Sequence, residues 1–181
     1  MVRLMDACAE YNRKMLILDR PNPNGHYVDG PILDMKYKSS VGWLPIPIVH
    51  GMTLGELALM VNGERWLPAS RICDITVIKC KNYTHQTMYE LPIPPSPNLP
   101  NMKAVYLYPS TCYFEATPVS LGRGTQLPFQ IYGHPNMLGY DYTFTPQSIP
   151  GAKNPPQLNR ICHGVNLSEL SNEEILSLIH I

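Results

Sequence analysis

Met15-Leu16-Ile17-Leu18-Asp19-Arg20-Pro21-Asn22-Pro23-Asn24-Gly25 decides the fold class. The four apolar residues read as a short buried strand. The run that follows cannot continue it, because proline fixes φ and donates no hydrogen bond. Just upstream, Leu4, Cys8 and Tyr11 fall at i, i+4 and i+7, the spacing of one helix face. A helix, a buried strand and a polar loop at the strand's carboxyl end make the grammar of an open α/β sheet. Ligands in such sheets bind beyond the carboxyl ends of the strands.

Downstream, residues 26–50 look irregular, with Gly30-Pro31 and Pro45-Ile46-Pro47 preventing a helix. A helix is then well specified. Leu54, Leu57, Ala58 and Val61 form its apolar stripe, and Thr53-Leu54-Gly55-Glu56 is a capping box, with Met52 and Leu57 placed as a hydrophobic staple. Ile72 to Cys80 reads as a strand. The proline-rich stretch 91–100 reads as an extended linker, which divides the chain into residues 1–94 and 95–181.

Beyond the linker, Ala104 to Tyr108 reads as a strand and Thr111 to Ala116 as a helical turn. Phe129 to Tyr132 reads as a strand, 133–157 as a long loop, and Arg160 to Leu167 as a further strand. Ser171-Asn172-Glu173-Glu174 caps a last helix, whose apolar positions Ile175, Leu178 and Ile179 require a partner surface.

Bulk properties exclude several classes. Lys+Arg and Asp+Glu both number 14 in 181 residues, which leaves no net charge for a nucleic-acid or anionic-membrane face. No apolar run approaches the ~18–20 residues of a membrane span. The opening Met1 to Asp6 turns polar at once and lacks the apolar segment of a secretion signal. Cys8, Cys73, Cys80, Cys112 and Cys162 show no C-x-x-C spacing, so they are expected as free thiols, and no metal or cofactor site is expected.

Candidate chemistry concentrates in the polar loops. Asp19 and Arg20, at the expected mouth of the sheet, together suit recognition of sugar hydroxyls; an ion pair or Asx-turn shaping the loop that includes Asn22 explains them equally. The capping box accounts for Glu56 without a catalytic role. His50 and the amides of the following helix start suggest a site for an anionic group. Glu115, among aromatic and small residues, suits a glycosidase carboxylate if burial raises its pKa, or else a salt bridge to Arg123. Arg123 lies between two glycines, where backbone can approach a ligand closely, and with Thr125 suits carboxylate or carbonyl recognition. Asn98, held between prolines, either presents its amide to an acetamido group or caps the linker.

The segments Leu18 to Pro23, His50 to Ala58, Pro95 to Pro100, Tyr108 to Thr117 and Ser120 to Thr125 together resemble, in order, the NamZ-type exo-β-N-acetylmuramidases. The resemblance runs from about Met5 to just beyond Tyr132. It implies the C-terminal part of a Rossmann-like domain followed by part of a smaller mixed α/β domain. The implied activity is removal of terminal β-linked N-acetylmuramic acid from the non-reducing end of peptidoglycan fragments, with MurNAc-GlcNAc as partner saccharide and an extracytoplasmic setting. Glu115 is then the candidate catalytic residue, and Asp19, Arg20, Asn22, His50, Asn98, Thr117, Ser120 and Arg123 are candidate substrate contacts. The family's Pro-Glu-His-Gly motif, with its candidate acid, does not occur in this sequence, and Leu121 stands where many relatives have Glu. The chain is therefore expected to be a middle section of the enzyme, inactive alone, with an uncovered apolar sheet face. The alternative is a non-catalytic module that binds peptidoglycan sugars or serves a structural role in support of a partner chain; a weaker one treats Pro92 to Pro100 as a polyproline ligand.

Overall fold

The computed structural model describes residues 1–178 and divides into two compact units, Met1–Tyr89 and Glu90–Ile181. The first unit opens with α1 (Val2–Glu10), β1 (Met15–Leu18), β2 (Asp29–Ile32) and β3 (Pro47–Val49), followed by α2 (Leu54–Gly63) and β4 (Ile75–Ile78). β1 and β4 pair in parallel, Met15 opposite Ile75 and Leu18 opposite Ile78, so β1–α2–β4 is a parallel crossover. The α/β reading holds. β2 and β3 form an antiparallel pair within the stretch expected to be irregular, with a register shift between Asp29 and Ile32. Pro31 and Pro47 are tolerated there because a two-stranded pair leaves each strand one edge that needs no donor.

The core of this unit joins Met5, Ile17, Leu57, Ala58, Val61, Leu67 and Cys73. Two expected faces are corrected. In α1 the inward residue is Met5, fully buried, with Met1, Cys8 and Ala9 packed around the same core, while Leu4 and Tyr11 are exposed. Met1, Met5, Cys8 and Ala9 also have helical spacing, and the sequence pattern alone did not choose between the two stripes. In α2, Leu54 is exposed at the first turn, while Leu57, Ala58 and Val61 are buried. β1 is buried on one face only: Ile17 points to the core, and Leu16 and Leu18 lie exposed beside Ile78 of β4.

The second unit contains α3 (Met102–Thr111), β5 (Ile131–His134), β6 (Tyr142–Phe144), β7 (Cys162–Asn166) and α4 (Asn172–Leu178). The strand expected at Ala104 to Tyr108 is instead α3. Ala104, Val105, Tyr106 and Leu107 are all buried, so the run shows no periodicity to separate helix from strand. The start signal is Asn101, whose side chain accepts the Ala104 N–H at 2.9 Å. The expected helical turn is a 3-10 segment at Cys112–Ala116. β5 starts two residues later than expected, because Phe129 has φ +57 and cannot lie in a strand. The stretch read as a long loop contains β6. The antiparallel sheet runs β5-β7-β6, with Ile131, Phe144 and Cys162 as its core.

The reciprocal capping box of α4 is present: Ser171 donates its N–H to Glu174 at 2.7 Å, and the Ser171 hydroxyl accepts from the Glu174 N–H at 3.2 Å. Ile175 is buried against Tyr106 and Leu107. The expectations for the Leu178 side chain and for Ile179 lie outside the described residues. Among the described residues, no helix is long and apolar enough to cross a membrane, and all five cysteines are free thiols.

Gly133 of β5 and Gly164 of β7 are directly opposed, and a Cβ on Gly164 would overlap the Tyr132 carbonyl. The obstacle is backbone, so it cannot rotate away. Gly164→Ala should therefore destabilise the protein by about 2 kcal/mol or more, read as a lower urea midpoint, with Gly139→Ala, whose Cβ meets nothing, as the control.

Candidate functional site

In the first unit, Asp19 follows β1 directly and its carboxylate turns onto the start of α2. Oδ1 accepts the N–H of Gly55 at 2.8 Å and of Arg20 at 3.0 Å, and Oδ2 accepts the Thr53 hydroxyl proton at 2.6 Å. The Thr53 hydroxyl in turn accepts the Glu56 N–H at 3.2 Å, and Glu56 Oε2 accepts the Thr53 N–H at 2.8 Å. At this helix start, proposed as an anion site, the Gly55 and Glu56 amides are therefore taken by the protein's own groups. His50 accepts the Met52 N–H at Nδ1, 3.1 Å away, and burial lowers its pKa.

The loop after Asp19 is bound in the same way. Asn22 donates from Nδ2 to the Met52 carbonyl at 3.0 Å and accepts the Asn24 N–H at 2.9 Å. The Tyr83 hydroxyl accepts the Asn22 N–H at 3.2 Å and donates to the Asn22 carbonyl at 3.0 Å. His85 lies 2.8 Å from the Gly25 carbonyl through Nδ1 and 3.0 Å from Glu56 Oε1 through Nε2. Both partners are acceptors, which favours the doubly protonated ring, and the Gly25 and Glu56 contacts raise the His85 pKa. His26, packed at a tilt against Tyr27 at 4.8 Å, is driven the other way by burial. Arg20 contributes its backbone N–H to this network, and its side chain is exposed.

Tyr83 and His85 were not among the sequence candidates. They follow β4, so the rule that singled out Asp19 at the end of β1 applies to their loop as well.

The second unit carries a different cluster. Glu115 and Arg123 lie 3.8 Å apart, and the Tyr108 hydroxyl donates to Glu115 Oε2 at 3.3 Å. Glu115 is exposed, and Phe114 beside it stacks on Tyr132 with centroids 5.8 Å apart and planes 4° from parallel. Tyr108, Tyr113 and Phe114 expose ring surface around the pair. Burial and Glu115 together raise the Tyr108 pKa.

The remaining candidates do not all reach this surface. Ser120 is fully buried and pairs through its backbone with Gly133; its hydroxyl has no hydrogen-bond partner among the described residues. Thr117 is exposed, donates to the Phe114 carbonyl at 2.7 Å and accepts the Val119 N–H at 3.2 Å. Asn98 donates to the Gly151 carbonyl at 3.1 Å, which ties the proline-rich stretch to the 149–152 turn. Among the described residues, no group of three or more His, Cys, Asp or Glu is placed to hold a metal ion.

A parallel crossover with polar loops at its carboxyl end, and an antiparallel unit with a charged, aromatic surface, define a mixed α/β protein. The chain belongs to the NamZ family: residues 1–103 match the model described as exo-beta-N-acetylmuramidase NamZ, N-terminal, and residues 106–179 match its C-terminal counterpart. It is 38% identical to the peptidoglycan beta-N-acetylmuramidase NamZ of Bacillus subtilis (strain 168), over 92% of this chain and 43% of that protein. Two crystal structures of DUF1343 family proteins from Bacteroides fragilis NCTC 9343 resemble it. One has 85% identity and a TM-score of 0.97, covering 99% of this chain and 51% of the other. The second has 28% identity and a TM-score of 0.75, covering 97% and 51%. The chain thus spans about half the length of these relatives or less.

Two outcomes test the first unit. Asp19→Ala leaves the Gly55 N–H and the Thr53 hydroxyl without their acceptor, and should cost about 2 kcal/mol of stability in urea unfolding. The second concerns pH. The folded pKa of His85 lies above its ordinary value of 6.5, so its contribution to stability is full below that pH and is lost as pH rises through the raised value. The stability gap between the wild type and His85→Gln should therefore be largest below pH 6.5 and close as pH rises through the raised value, read from urea midpoints across pH.

Proposed function

We propose that this chain is part of an exo-acting glycoside hydrolase that removes β-linked N-acetylmuramic acid from the non-reducing end of peptidoglycan fragments, with MurNAc-GlcNAc as its partner saccharide. The same proposal assigns the reaction to cell-wall turnover, in an extracytoplasmic setting. The observation that supports this most directly is the ordered match of both halves of the chain to the two NamZ family models, joined to 38% identity with a curated muramidase.

Glycoside hydrolysis requires two carboxyl groups across the scissile bond in most families. Of the three carboxylates considered, Asp19 is committed to the start of α2, and Glu56 to the capping box and His85. Glu115 stands at the surface beside Arg123 and Tyr108, where a saccharide can reach it, and is the chain's contribution to the reacting centre. The stacked Phe114–Tyr132 pair offers a flat apolar surface for the hydrogen-bearing face of a sugar ring. A second carboxyl group then comes from the rest of the longer enzyme.

Hydrolysis of a chromogenic β-N-acetylmuramide by this chain, and by the same chain extended upstream, tests the assignment. Activity is expected in the extended protein alone. There, Glu115→Gln should lower kcat by about 100-fold with little change in KM. Full activity of the Glu115→Gln enzyme would remove Glu115 from the reaction, and two folded but inactive proteins would overturn the muramidase reading.

A further inference from the structure

Arg123 is a charged side chain with a buried nitrogen that finds no partner among the described residues. Its Nε is buried with no hydrogen-bond partner, and no hydrogen bond from its guanidinium is present among the described residues. Its one ion pair, with Glu115, is 3.8 Å long, well beyond the ~2.7–2.9 Å of a charge-assisted hydrogen bond. Elsewhere in the chain, Arg71 holds Asp6 at 2.8 Å and Arg160 holds Gln157 at 2.9 Å. A guanidinium with about 39% of its side-chain surface exposed and its donors uncommitted is poised for an acceptor that is not part of this chain.

The backbone that carries it is fixed. Gly122 and Gly124 have φ +71 and +85, conformations that side chains resist. A Cβ on Gly122 would lie 2.6 Å from the Leu127 carbonyl, and one on Gly124 would overlap the Gln147 carbonyl. Thr125 donates to the Gly122 carbonyl from both its N–H, at 3.0 Å, and its hydroxyl, at 2.7 Å, and Gln147 donates to the Gly124 carbonyl at 2.9 Å. The loop holds Arg123 in one place before any ligand arrives, so little ordering is left to oppose binding.

We propose that Arg123 is the specificity residue of this surface: its planar fork takes the ether-linked carboxylate that distinguishes N-acetylmuramic acid from N-acetylglucosamine. The assignment rests on the saccharide reading given above. A carboxylate matches the fork in a two-bonded arrangement, and it displaces only a loose contact with Glu115. The sugar ring then lies toward Phe114, the neighbour of Glu115, and its stacked partner Tyr132.

Direct binding of three probes tests this: N-acetylmuramic acid, its methyl ester, and N-acetylglucosamine. The wild-type protein should bind the free acid about tenfold or more tightly than either neutral sugar. Arg123→Gln should bring all three to the same affinity, and Arg123→Lys, which keeps the charge but loses the fork, should restore only part of the preference. Equal binding of the acid and its ester by wild type, or an unchanged preference in Arg123→Gln, overturns the role of Arg123 and leaves the saccharide reading standing. A folded wild-type protein that binds none of the three overturns both.

Discussion

The carboxylate of Asp19 organises the first unit. It sits at the end of β1, yet its hydrogen bonds are to the start of α2, a helix that begins 35 residues later. One side chain thereby fixes where the crossover helix begins relative to the strand it must cover. The apolar face of α2 follows from that placement: Leu57, Ala58 and Val61 reach Ile17 and Met5 only if the helix starts at the mouth of β1. Gly55 belongs to the same constraint. A Cβ there would lie 2.9 Å from the Asp19 carboxylate and crowd Val77 of β4, so the glycine lets helix, strand and cap approach closely. Asn22, Tyr83, Glu56 and His85 extend the network across the loops on either side.

Where one residue carries its own signal, the sequence could be read; where a choice depended on a partner surface, it could not. The capping boxes at Thr53 and Ser171 are self-contained hydrogen-bond patterns, and both form. The abrupt change from Leu18 to Asp19-Arg20-Pro21 likewise marks a strand end from local chemistry alone. The face of α1 is a tertiary choice, and Met5 rather than Leu4 turned inward because the core lies on that side. Ala104 to Leu107 is buried all round, which removes the periodicity that separates helix from strand. β6 is three residues long and lies in a stretch rich in turn formers, so its pairing with β7 left no sequence pattern. The expected pairing of Glu115 with Arg123 corresponds to the 3.8 Å contact between them. Tyr83 and His85 were missed because their partners are far away in sequence.

The two polar clusters differ in what they leave available. In the first unit, Asp19, Asn22, Glu56 and the Gly55 and Glu56 amides have partners within the chain, and those bonds set the loop conformation. A ligand there would have to displace bonds that hold the unit together, and removing an acceptor from a part-buried donor is costly. In the second unit, Arg123 is held by its backbone rather than by its side chain, so the guanidinium can take a new acceptor without loss of structure. The unit's own contacts position Glu115 beside that charge and Tyr108 on Glu115, and leave all three side chains partly exposed. A rigid loop that presents unsatisfied donors beside exposed aromatic rings favours binding over stability, and the proposed role of Arg123 rests on that contrast.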